Sequence, residues 1–131
     1  MGGRIADELG GIDLGDKRLN ARSAKILEAL ATNPEVSVNA AHDEWAETQA
    51  AYRFFNNENV TPEKILEPHL QATIRRICER PVVLIAQDTT ELDFSDHPAK
   101  GLRSLNVEAR QGLYLHLALA LTPDRLPLGV T

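Results

Sequence analysis

Apolar positions change their spacing near residue 80 of this chain of 131 residues. Before that point they recur every three or four residues, the period of a helix that buries one face. Leu19, Ile26, Leu27 and Leu30 gather on one side of a helix predicted from Asp16 to about Thr32, with Asp16 as N-cap and Asn33-Pro34 as the stop. A second helix is predicted over about 39 to 56, with Ser37 as a candidate cap. There Ala41, Trp45, Thr48, Tyr52 and Phe55 repeat at helical spacing, a stripe better assigned to core packing than to stacking on bases. Thr61-Pro62-Glu63 announces a third helix: a Thr cap, a Pro at the first helical position and an acid in the first turn. It runs through Leu66, Leu70, Ile74 and Ile77 to about Glu79, where Arg80-Pro81 breaks it.

Beyond that break the pattern turns strand-like. Val82 to Gln87, apolar as far as Ala86, is the first predicted strand and delivers Asp88 at its end. Consecutive apolar residues predict a central strand covered on both sides, with Val83 and Ile85 buried on one face and Leu84 on the other. A polar connection from Glu91 to Gln111 leads to a second strand over Gly112 to Leu121. Thr122-Pro123-Asp124-Arg125 forms a turn, and Leu126 to Val130 begins a third strand. The fold class is therefore α+β, with a helical domain over residues 1–80 and strands over 81–131. Residues 1 to 11, Gly-rich and charged, are expected to be poorly ordered.

Composition refines this only slightly. Hydrophobic residues at 43% and charged residues at 25% are ordinary for a globular protein. No apolar run is long enough to cross a bilayer and no signal peptide is evident, so the expected location is the cytoplasm, with no membrane partner. The net charge of −5 argues against a protein that simply coats nucleic acid. Its distribution matters more. From Lys17 to Lys25 there are four cations (Lys17, Arg18, Arg22, Lys25) and no acid. Arg18, Arg22 and Lys25 fall within an arc of about 60° on the first helix, away from its apolar face. Charge runs are usually solvated faces, but one without interleaved acids suits phosphate.

The candidate chemistry sits in the strands. An acid where a buried strand emerges is dry, rigid and near solvent, as metal-assisted phosphate chemistry requires. Asp88, Asp93 and Asp96 crowd one segment, but the glycine and terminal Glu of a calcium loop are missing. An aspartyl-nucleophile phosphatase would want a second Asp at position 90, which is Thr. The lone Cys78 and the scattered His42, His69, His97 and His116 make neither a zinc site nor an internal disulfide.

Four segments in order then carry a resemblance: Leu14-Gly15-Asp16-Lys17-Arg18-Leu19-Asn20-Ala21-Arg22, Ala51-Tyr52-Arg53-Phe54-Phe55-Asn56-Asn57, Asp88-Thr89-Thr90 and Gly112-Leu113-Tyr114-Leu115-His116. Their order and spacing resemble the bacterial cut-and-paste insertion-sequence transposases of the transposon-five type, over about residues 12 to 131. The resemblance implies a small helical domain that binds double-stranded transposon-end DNA, with Lys17, Arg18, Arg22, Lys25 and Arg53 as DNA contacts. It implies a following ribonuclease-H-like domain whose Asp-Asp-Glu triad holds two magnesium ions, with Asp88 as the first catalytic and metal-binding member. Thr89 and Thr90 would orient that carboxylate. Full-length relatives would cut and transfer DNA strands as homodimers.

The second Asp and the Glu of the triad have no counterpart up to Thr131, so the resemblance is to a truncated core with an incomplete sheet and an exposed edge. Magnesium binding by this chain is then expected to be weak or absent, because one carboxylate leaves most of the ion's water in place. Three readings stay open: a transposase fragment that binds DNA ends, a non-enzymatic DNA-binding remnant or inhibitor, and a small interaction domain whose basic face is merely solvated.

Overall fold

A computed structural model describes residues 5–97, 99–106 and 110–131. A short 3-10 helix over Ile5–Leu9 precedes three α-helices, α1 (Lys17–Thr32), α2 (Trp45–Phe55) and α3 (Pro62–Cys78). Four strands follow: β1 (Leu84–Asp93), β2 (Arg103–Ser104), β3 (Gln111–Leu121) and β4 (Pro127–Val130). The α+β class and the order of helices before strands are those expected. The disorder expected over residues 1 to 11 does not extend to Ile5–Leu9, which is helical; residues 1–4 lie outside the described residues.

The chain divides into two compact units between Ala72 and Thr73, within α3. In the first, Leu14, Ile26, Ala51 and Phe54 form a buried cluster, with Leu19, Leu30, Val38, Val60 and Ile65 packed against it. Leu14 is fully buried and Gly15 follows with φ at +79°, a conformation only glycine adopts cheaply. Asp16 then accepts the Arg18 N–H at 2.7 Å and caps α1, while the Asn20 side chain accepts the Leu14 N–H at 2.9 Å. The Leu-Gly-Asp turn is thus pinned to the helix it starts.

Two sequence expectations fail in this unit. Residues 39 to 44 are not helical; Ala41 N–H bonds to Ser37 C=O in a turn, and α2 begins only at Trp45. The expected aromatic stripe is also rotated. α2 buries Thr48, Ala51 and Phe54, whereas Trp45, Tyr52 and Phe55 are exposed. Phe54 takes the core position and turns its neighbour Phe55 edge-on and outward.

In the second unit β3 is central. β1 pairs with it antiparallel along ten residues, from Leu84 opposite Leu121 to Asp93 opposite Gly112. On its other edge β2 pairs at Gln111 and Gly112, and β4 pairs at Leu119 to Leu121. The Thr122–Arg125 turn closes the last hairpin as expected, with the Thr122 hydroxyl accepting the Leu126 N–H at 3.0 Å. The end of α3 lies against β4: the Arg76 side chain donates to Leu128 C=O, and a side chain at Gly129 would meet Thr73.

The first strand departs from its expectation in two ways. It begins at Leu84 and runs to Asp93, so Asp88 lies in its middle rather than at its exit. It is also exposed rather than covered, with Ile85 at 52% and Leu84 at 48% of full exposure. The apolar run reflects a sheet whose faces are open among the described residues, not a strand already sandwiched.

Candidate nucleic-acid interface

The cations of the first unit are set by the α1 cap and by the α1–α2 packing. Lys17 and Arg18 follow the cap directly, both exposed. One turn on, Arg22 leaves α1 beside α2 and donates from Nη1 to Glu47 Oε2. An acid 25 positions away in the sequence therefore answers a cation in an arc that has no acid of its own. Arg53 leaves α2 exposed. A shallow depression of about 250 Å³ is lined by Arg18, Arg22 and Arg53, with Leu19 and Phe54 as its apolar floor and Asn57 at its side. Among the described residues Arg18 and Arg53 have no ion-pair partner.

Lys25 goes elsewhere. It lines a second depression with Glu28, Thr32 and Asp43, where two carboxylates balance it. Lys17 lines neither. Of the five expected contacts, then, three converge on one concave surface formed by two helices. Three guanidinium groups about a concavity suit phosphate oxygens, because each fork presents paired donors.

Residues 2–60 match a family model described as transposase DNA-binding. The matched stretch, a little under half of the chain, contains all five cations. It supports a transposase and a DNA partner for residues 2–60.

Asp88 has different surroundings. Its carboxylate accepts the Thr89 N–H at 2.9 Å, and it sits exposed opposite Leu117. Thr89 does not orient it through its hydroxyl, which lies 2.7 Å from His116 Nδ1. Nor do the neighbouring acids join it. Asp93 is five residues along the same strand and so on the other face. There Asp93 Oδ1 accepts the Ser95 N–H at 3.0 Å and the Ser95 hydroxyl, and Arg110 Nε donates to its Oδ2 at 2.7 Å. The Ser95 hydroxyl and amide, and then Arg110, hold the Asp93 carboxyl down at about 2. Among the described residues no three His, Cys, Asp or Glu side chains are grouped to hold a metal ion. A pair of magnesium ions needs several carboxylates, and among the described residues no such group includes Asp88.

Sequence reasoning missed the Arg22–Glu47 pair and the outward turn of Trp45 and Tyr52. The first is a tertiary contact without local signature. The second was open to a register argument, since Thr48, Ala51 and Phe54 also recur at helical spacing.

No helix among the described residues is long and apolar enough to cross a membrane.

Proposed function

We propose that the helical region binds double-stranded transposon-end DNA, with Arg18, Arg22 and Arg53 gripping phosphates in the depression between α1 and α2. Lys17 and Lys25, also expected as contacts, do not line that depression. The observation that carries this reading is the convergence of three arginines from two helices, all within the stretch that matches the transposase DNA-binding model. Residues 81–131 form, on this reading, the opening strands of a ribonuclease-H-like domain of the transposon-five type, with Asp88 as its first metal ligand. The antiparallel pairing of β1 with β3 and of β3 with β4 supports that assignment. The reading gives this chain DNA binding; among the described residues no group of three metal-ligating side chains includes Asp88.

The test is duplex affinity as a function of salt. Each phosphate contact releases condensed counterions, so log K should fall linearly with log[salt]. Arg18→Gln and Arg53→Gln should each weaken binding and flatten the slope by about one unit. An Arg18→Gln/Arg53→Gln variant that binds as the parent does, with the same slope, would refute the assignment.

A further inference from the structure

The outer side of α2 presents two large rings that the fold does not use. Trp45 and Tyr52 are seven residues apart, within about 20° of each other around the helix. Trp45 is 72% exposed and Tyr52 49% exposed, while the same helix buries Thr48 and Ala51. Core packing therefore does not account for either ring. Arg53, also exposed, lies about 80° around the helix from Trp45 and about 100° from Tyr52. Glu47, the acid in the helix's first turn, lies about 160° around from Trp45 and is held by Arg22. Asp43 and Glu44 stand just before Trp45, so a phosphate would be repelled at that end of the helix. What suits this arc is a partner that is flat and amphipathic at the rings and anionic beside Arg53 and Arg18. A DNA groove is such a surface: base edges and sugars between lines of phosphate.

We propose that Trp45 and Tyr52 lie against bases and sugars of the same duplex whose phosphates the three arginines hold. The inference rests on the DNA-binding reading and adds an apolar contact to it. The physical signature differs from that of a cation. A ring that leaves water on contact with a base releases no counterion, so it changes affinity without changing the salt slope. A ring that loses part of its exposed surface against base edges and sugars contributes on the order of tenfold in affinity. The rings give the unit a means to sense base sequence, which phosphate contacts alone lack.

Trp45 is the only tryptophan, so its fluorescence reports this one position. Titrating the whole chain with a short mixed-sequence DNA duplex at low salt should quench and shift its emission. Trp45→Ala and Tyr52→Ala should each lower affinity about tenfold at fixed salt while keeping the slope of log K against log[salt]. Trp45→Phe and Tyr52→Phe should recover most of that loss. Circular dichroism should show parent helix content in every variant, as both rings are exposed. Salt-dependent binding with unchanged Trp45 emission, and parent affinity in Trp45→Ala, would overturn the inference and leave the DNA-binding reading standing. Absence of any salt-dependent binding would remove that reading and this one together. A shift of Trp45 emission with protein concentration alone would mark a self-association surface instead, and would also overturn it.

Discussion

Glu47 and Gly129 show how much single positions decide here. Glu47 neutralises one of three arginines in the depression, and both partners of the pair are partly solvated. Such a pair contributes little to stability, within about 1 kcal/mol, but a phosphate must compete with it for Arg22. Glu47→Gln should therefore leave the melting temperature nearly unchanged, tighten duplex binding and steepen its salt slope by up to about one unit. Weaker binding in that variant would mean that Glu47 aligns Arg22 for DNA. Gly129 fails differently. A Cβ there would lie 2.0 Å from Thr73 Oγ1, and its φ of +146° strains any side chain. Gly129→Ala should destabilise the second unit by about 1–3 kcal/mol, the usual cost of overpacking. Adding Thr73→Ala should recover part of that, because the two substitutions share one contact. Additive losses in a denaturant titration would show that the backbone conformation, not Thr73, sets the cost.

Elements were legible where chemistry is local. The Asp16 cap, the Thr61-Pro62 start of α3 and the Thr122–Arg125 turn lie where the sequence places them. Each depends on neighbours a few residues apart. The start and facing of α2 were not legible, because two interleaved sets on one helix both keep helical spacing and only the partner surface selects between them. The cationic site was half legible: α1 carries its own arc, but the meeting of Arg22 with Glu47 and Arg53 depends on how two helices pack. The length of β1 was hidden for a related reason. Its second half, Asp88 to Asp93, is polar and becomes strand through pairing with β3. A network on that half yields a pH test. Ser95 and Arg110 lower the Asp93 pKa from 3.8 to about 2, so the folded state binds this proton more weakly than the unfolded chain does. The stabilisation is fully present above about pH 4 and is lost as pH falls through the window down to about 2. The melting temperature of Asp93→Asn should therefore depend less on pH across that window than the parent's does. Parallel curves would show that Asp93 titrates alike in both states.

At the scale of the whole molecule, each of the two units carries its own surface feature. The arginine depression belongs to the helical unit, while the second unit exposes a row of leucines. Alternation along β3 puts Leu113, Leu115, Leu117 and Leu119 on one face, with Leu92, Thr90, Asp88 and Ala86 opposite them in turn on β1. Leu113, Leu115, Leu117 and Leu119 are each more than one-third exposed. The other face carries Gln87, Thr89, Glu91, Tyr114 and His116 and is far more polar. An apolar row of this kind, rimmed by polar positions, differs from scattered surface leucines. It should bind an amphipathic dye such as anilinonaphthalene sulfonate while the protein is folded. Leu115→Lys with Leu119→Lys should lower the dye emission severalfold and keep the strand signal in circular dichroism, since neither side chain is buried at present. Unchanged emission would place the dye elsewhere, for instance at the apolar hollow of Phe55, Val60, Ile65 and Leu66 in the helical unit. Asp88 gives the row a further consequence. Any element that covered these leucines would desolvate its carboxylate, which now has one backbone N–H for company. Burying that charge requires a cation or a metal ion brought by the covering element. Asp88→Asn should leave the strand signal in circular dichroism unchanged, because the carboxylate is exposed and accepts a backbone N–H that the Asn amide oxygen also accepts.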